Sequence, residues 1–443
     1  MSFDPFIQIG SEKINHMSMH KLFATTLGYR WIIFSLLALQ YLLVYFHRVC
    51  PALMAPELTD AFSIGGASLG ILSSGYFYPY AIMQLPVGLL SDAWGGRKTI
   101  TLFALFGALG AVFFGLSPGI EVATVSRIMV GFGLSAIFVP ALKICAEWFR
   151  PREYAGISGV LLAMGGVGWF VAATPLAWIT EAFGWRGTFI GIGCITAVLS
   201  VLTWIFVADT PQDKGFAPVH ERRASAVDSK SSNIFGSLLS VLKNRNFWPI
   251  AGWFFFFGGM LFGFCGLWAG PYLMDSYSFS KTEAGNVLAM IALGTIVGSP
   301  LLGNLSDRLN IGRRNVMFCS ATILMLEWII LFAFRETLPE LFLYPLFFFL
   351  GVFGNAVAVV GFAITKDLFS IEMAGTAVGA ANFFAFLGAA FYQPMTGYLM
   401  DLVGKVNGVY PSEAYRIAFT LFLVTSISHF FCMTRIKDRR KSA

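Results

Sequence analysis

Twelve stretches of about 20 mostly apolar residues divide this chain, each long enough to cross a bilayer as a helix. They run roughly over 30–54, 69–90, 99–117, 121–146, 155–178 and 187–208, then 247–273, 284–305, 315–334, 339–365, 374–400 and 414–434. Six spans thus precede, and six follow, the polar segment from Asp209 to Asn246, which has too few large apolar residues to fold by itself and reads as a linker. The expected organisation is an all-α membrane protein with an N-terminal unit over 1–208, a linker over 209–246 and a C-terminal unit over 247–443. Within the linker, IFGSLLSVLKN reads as a short amphipathic helix on the membrane surface.

The balance of charge agrees. Only 12% of residues are charged and 57% are hydrophobic, against about 25% charged in a soluble domain. The net charge of +6 does not point to nucleic acid, because the basic residues are spread over loops flanking the spans. Taking the connections by turns, one side carries 22 Lys and Arg and the other carries Arg186, Lys281, Arg335, Lys405 and Arg416. The positive-inside rule puts both termini and the linker in the cytoplasm, in a multi-pass protein of the cytoplasmic (inner) membrane. The first residues have no apolar core followed by a cleavage site, so no signal peptide is expected. Six cysteines at 50, 145, 194, 265, 319 and 432 have no CxxC spacing, and read as small packing residues rather than a disulfide or zinc framework.

Between the second and third spans stands GLLSDAWGGRKTI, and between the eighth and ninth GNLSDRLNIGRRNVM. Gly88, Ser91, Asp92, Gly96, Arg97 and Lys98 in the first match Gly303, Ser306, Asp307, Gly312, Arg313 and Arg314 in the second. The two glycines are 215 residues apart, close to half the chain, as an internal duplication would give. These turns resemble the signature loop of the major facilitator superfamily, secondary transporters built from two pseudo-symmetric six-helix bundles. The resemblance covers the whole chain. It extends to Arg127, Gly131 and Gly133 on the fourth span and to GWRGTF at 184–189. It implies that the loops act as gates, closing the cytoplasmic side in one state and releasing it in the other. Asp92 is expected to accept hydrogen bonds from Arg97 or from helix-end amides, and Gly88 to admit a close neighbour.

In that family the substrate lies near the bilayer midplane between the halves. An ionisable residue inside a span is costly unless it faces a cavity or a partner. The first span carries His47 and Arg48, about 25 Å along the axis from Arg30 and in the outer half of the membrane. Arg48 resembles the first-span arginine of the organic-anion and organophosphate branches, and its five fixed donors suit carboxylate or phosphate; the alternative is an arginine snorkelling to the outer interface. Where the anion:cation symporters often carry Asp, this chain has His47, which either takes the coupled proton or hydrogen-bonds a neighbouring helix. Arg127 is a second cavity candidate, whereas Lys143 reads as a snorkelling residue at the cytoplasmic mouth. Glu327, on the peripheral ninth span, is expected to meet a partner or the lipid interface.

The second half offers neutral groups: Trp268, Tyr272, Asn286, Asn355, Asn382, Tyr392 and Gln393. Of these, Trp268, Tyr272, Asn355, Asn382 and Gln393 join Arg48 and Arg127 as substrate-binding candidates, with asparagine packing between helices as the alternative. The phenylalanine runs at 254 and 347 read as core or lipid-facing. The fifth and eleventh spans, rich in small residues, suggest close, sliding packing between halves. The fifth lacks the full glycine-proline motif of drug antiporters.

Positive charge without acid in the cavity spans favours a small organic anion, carried by alternating access with proton coupling or anion exchange. The alternatives are a transporter-like sensor, or a carrier of a drug or of a neutral or zwitterionic solute such as an amino acid. For an enzyme there is no Ser/His/Asp constellation, metal cluster or phosphate loop. The expected protein is a bacterial-type monomer without cofactor or metal.

Overall fold

The computed structural model describes residues 26–219, 234–308 and 312–436. The N-terminal stretch, the middle of the linker and the basic tail lie outside these residues, as does the side chain of Asp307. The described chain is helical, apart from one β-bridge between Val406 and Val409 in the turn before the last span.

Among the described residues eleven helices are long and apolar enough to cross a membrane, and the twelfth crossing is a helix broken into pieces. The first span, α1, is Thr26–Val49 continued after Cys50 by Pro51–Phe62. It is longer than the apolar window because Pro51 sits at a first helical position, where proline interrupts bonding but restarts a helix readily. The second, α2, is made of Gly66–Ser74, Phe77–Ile82 and Pro86–Trp94, so one apolar window corresponds to three short helices. Then come α3 (Gly96–Leu116), α4 (Ile120–Trp148) and α5 (Pro151–Val171 and the start of Thr174–Phe206). The chain turns at Gly184, φ 65°, and the rest of Thr174–Phe206 is α6. The glycine is needed at that conformation.

In the second half α7 is Phe247–Tyr277, α8 Lys281–Arg308, α9 Arg313–Phe334, α10 Glu340–Leu368, α11 Ile371–Asp401 and α12 Ser412–Arg435. Two of these contain wide i→i+5 turns, over Gly259–Trp268 in α7 and Leu350–Ala356 in α10. The amphipathic segment before α7 is a helix, Ile234–Lys243, with Val241 buried. The phenylalanine runs divide between core and surface: Phe254 and Phe347 are buried, and Phe349 is exposed.

The two six-helix bundles meet chiefly along α2 with α11, α5 with α8, and α1 with α7, and α1 also touches α8. The face carrying the α2–α3 and α8–α9 turns is called the basic face below, and the opposite one the far face.

Candidate transport site and gates

Because α1 runs to Phe62, Arg48 lies near the middle of the span rather than at its outer interface. It is 3% exposed, which removes the snorkelling alternative. Its guanidinium carbon stands 4.4 Å from the centre of the Tyr45 ring, 4.5 Å from Tyr80, 4.8 Å from Phe386 and 5.7 Å from Phe262. These rings come from α1, α2, α11 and α7, two from each half. Among the described residues no carboxylate pairs with Arg48, and its Nε has no hydrogen-bond partner. Aromatic faces offset part of the cost of a buried cation. They leave the planar donor fork without an anion.

Arg127 is separated from this cage. Its guanidinium lies over Tyr76 at 5.3 Å, Tyr76 stacks on Tyr80 at 5.5 Å, and Tyr80 faces Arg48. One Arg127 Nη donates to the His47 carbonyl at 3.0 Å, tying α4 to α1 just before its break. Tyr76 also interacts with Arg48, so the geometry sets Arg127 within the N-terminal bundle, one ring from Arg48. The His47 side chain packs between Phe46 and Phe189, away from the Arg48 rings, with Nδ1 unpartnered.

The neutral candidates divide into two groups. Trp268 donates its indole N–H to the Gln393 carbonyl at 3.0 Å, and the Gln393 amide donates to the Phe262 carbonyl at 2.9 Å, joining α7 to α11 beside the cage. On its basic side, Asn382 donates to Gln84 Oε1 at 2.6 Å across the halves. By contrast, the Tyr272 hydroxyl donates to the Arg335 carbonyl at 2.6 Å, and Asn355 donates to Thr295 of α8 at 3.0 Å. Both bonds lie inside the C-terminal bundle and give these residues packing partners, away from Arg48. Tyr392 accepts from Thr425 of α12, and Asn286 accepts from Thr174 of α5. Sequence reasoning overlooked Tyr45, Tyr80, Gln84, Phe262 and Phe386. Tyr76, Tyr80 and Gln84 recur every fourth residue, one face of a helix, and that spacing was the available signal.

The far face is sealed. Asp401 at the end of α11 accepts the backbone N–H groups of Gly66 and Ala67 at 2.8 Å each, and the Tyr410 hydroxyl at 2.5 Å. Burial, and then the bond to Asp401, push the Tyr410 pKa up. Lys281 of α8 pairs with Glu57 of α1. A Cβ at Gly66 would collide with the Gly397 backbone, and one at Gly70 with Pro394. The basic face is parted: a Cβ at Gly88, Gly159, Gly303 or Gly375 would meet nothing within 4 Å. Gly88 was expected to admit a close neighbour, and here it borders open space. The last close approach of α2 and α11 on this side is that of Gly379 to Leu85.

The two loops expected to act as gates also depart from expectation. Asp92 pairs with Lys143 Nζ at 2.8 Å, not with Arg97 or helix-end amides, and the same ammonium donates to the Ser91 carbonyl at 3.0 Å. Lys143 is therefore a partner of the loop as well as a mouth residue. Arg97 is used elsewhere: its backbone N–H donates to Asp209 at 2.7 Å, capping α3, and its guanidinium covers Trp204 at 4.9 Å. Gly95, φ 88°, turns the chain there. Lys98 is exposed. In the second loop Arg313 pairs with Asp367 at 2.6 Å and Arg314 donates to the Thr434 carbonyl at 3.2 Å. In GWRGTF, Arg186 donates to the Gly115 and Ser117 carbonyls at the end of α3. Glu327 is away from lipid, at 4% exposed, and among the described residues neither of its oxygens has a hydrogen-bond partner.

Two six-helix bundles closed at one face, parted at the other and enclosing a buried site at their interface define a multi-pass membrane transporter, not an enzyme. The chain belongs to the Major Facilitator Superfamily, whose family model matches residues 37–270 and again 260–443. It is 26% identical over 433 residues to the uncharacterized transporter YybO of Bacillus subtilis (strain 168), covering 92% of this chain and 95% of that one. It is 24% identical over 397 residues to the probable sulfoacetate transporter SauU of Cupriavidus necator, covering 85% and 89%, and 25% identical over 407 residues to the probable galactarate/D-glucarate transporter GudP of Bacillus subtilis, covering 86% and 87%. Among solved structures, an inward-facing, unoccupied bacterial homolog of the human lysosomal transporter Spinster superposes with a TM-score of 0.71 at 18% identity, over 92% of this chain and 98% of that one. A point mutant of the nucleoside transporter NupG gives 0.70 at 14% identity, over 91% and 100%. These likenesses are to the fold.

Proposed function

We propose that this protein is an alternating-access carrier of a small organic anion, whose acidic group binds the Arg48 guanidinium within the rings of Tyr45, Tyr80, Phe262 and Phe386. One observation carries the reading: a buried arginine on the interface of the halves, touched by both, has no acid to neutralise it among the described residues. An uncompensated buried charge is strongly unfavourable, so an anionic ligand gains what a neutral one does not. The named substrates of the relatives, sulfoacetate and galactarate or D-glucarate, are organic anions and support the same class. Trp268, Gln393 and Asn382, next to the cage, would contact the uncharged body; Arg127 would set the Tyr76–Tyr80 stack rather than touch substrate.

The carrier sits in the cytoplasmic membrane as a monomer with both termini and the 209–246 linker in the cytoplasm, its units spanning 1–208 and 247–443. The basic face is then cytoplasmic and the structure is open inward. Coupling is to protons or by exchange of one anion for another. For His47 to serve as the proton site, its charge would have to act on Arg48 through α1.

Calorimetry on the purified protein with D-glucarate, sulfoacetate and the neutral polyol D-glucitol tests the reading. The acids bind and the polyol does not; Arg48→Lys weakens acid binding by about tenfold and Arg48→Ala by about a hundredfold or more, from the cost of losing a desolvated charge contact. Acid binding as tight in Arg48→Ala as in the parent would overturn both the site and the substrate class.

A further inference from the structure

The C-terminal bundle contains a carboxyl group that the anion site leaves unused. Glu327 lies about 10 Å along α9 from its far end at Phe334 and about 21 Å from its basic end. It is 4% exposed, and neither oxygen has a hydrogen-bond partner. From α7 the Cys265 thiol lies close enough to feel its charge. The polar pair Asn355 and Thr295, from α10 and α8, is bonded to itself. From α12, Phe419 and Phe422 cover the neighbouring Trp328, while His429 stacks on Trp253 and Tyr415 donates to Asp275. No described cation offsets a negative charge at this place. An ionised carboxylate so enclosed would lose its hydration with nothing in return, whereas the neutral acid loses far less.

Its surroundings connect it to the anion site. The wide-turn segment of α7, Gly259–Trp268, carries Phe262 toward the Arg48 cage and Cys265 toward Glu327. The wide-turn segment of α10, Leu350–Ala356, flanks the same region. Between them and α9 is a small apolar cavity lined by Met260, Cys265, Leu324, Trp328 and Gly354. Wide turns inside helices often mark functional sites. We propose that Glu327 is a proton-binding site of the carrier, occupied by a proton in the state with the basic face parted, and that α7 transmits its occupancy to the Arg48 cage. The carboxylate gains an O–H bond from a solvent proton and gives that proton back to solvent when the C-terminal bundle rearranges. This inference rests on the chain being a carrier, not on which anion it carries.

Two measurements test it. The first needs no substrate: infrared spectroscopy of the protein reconstituted in lipid, in D2O at neutral pH, with Glu327→Gln as the reference and Glu327→Asp as a variant that keeps the acid. The parent should have a protonated-carboxyl C=O band that Glu327→Gln lacks and Glu327→Asp retains. The same band in the parent and in Glu327→Gln would overturn the proposal. The second is D-glucarate uptake into proteoliposomes. In Glu327→Gln, accumulation driven by a pH gradient should be lost while exchange of labelled for unlabelled D-glucarate persists. Accumulation at the parental level, or loss of exchange together with accumulation, would overturn the coupling role. If the parent binds neither D-glucarate nor sulfoacetate, the anion reading fails, and the infrared comparison still decides whether Glu327 holds a proton.

Discussion

Asp401, the last residue of α11, caps the first turn of α2 by accepting the backbone N–H groups of Gly66 and Ala67, so the carboxylate of one bundle completes a helix of the other. Four N–H groups at any helix start lack intrahelical partners, and a negative charge there also meets the positive end of the helix dipole. The bond can exist only while the far face is shut. In the proposed alternating-access cycle it is therefore a contact that has to break.

Asp401→Asn keeps the shape and removes the charge. A hydrogen bond to a charged group contributes about 1.5–3 kcal/mol and a neutral one about 1, so the variant should shift the equilibrium toward a parted far face. Spin labels on the far ends of α2 and α11 should report a larger population at long distance than in the parent. An unchanged distance distribution would remove Asp401 from the gate.

Glycine contacts make a paired prediction. Gly397→Ala directs a methyl into the Gly66 backbone and should lower the melting temperature by several degrees. Gly375→Ala, with nothing within 4 Å, should leave melting unchanged but slow transport if the basic face closes as tightly as the far face does. Parental uptake in Gly375→Ala would mean that the basic face closes elsewhere.

The Asp92–Lys143 pair is exposed, at 72% and 44% of side-chain area, and such pairs stabilise by less than about 1 kcal/mol. Asp92→Asn and Lys143→Gln should both leave the melting temperature within about two degrees of the parent. If the pair works as a unit in gating, each should slow transport and the double variant should be no slower than either single one. Additive slowing would assign the two residues separate roles.

His47 gives a prediction separable from Glu327. Its ring lies between Phe46 and Phe189, away from the Arg48 cage. His47→Gln should preserve accumulation of D-glucarate driven by a pH gradient in proteoliposomes. Loss of that accumulation with exchange intact would return the coupled proton to His47.

The twelve crossings were legible in the sequence because lipid imposes one requirement, about 20 apolar residues, that composition alone satisfies. The duplicated loops and the family were legible for a related reason: a glycine turn with charges at fixed spacing is local chemistry. Arg48 stood out as a cation inside an apolar run. The breaks in α2 were hidden, since glycine and proline within an apolar stretch do not say whether a helix bends, ends or continues. Partnerships were hidden altogether. The sequence offers Asp92 either Arg97 five residues on or helix-end amides, yet folding gives it to Lys143, and gives Arg97 to Asp209 and Trp204. Tyr80, Phe262 and Phe386 look like ordinary core residues until four helices bring their faces to one guanidinium. Sequence determined which segments cross the membrane and which charges go with them, because solvation acts on each segment separately. Only the tertiary structure decided which charge is neutralised and which face is closed, because both depend on contacts between residues from about fifty to more than three hundred positions apart.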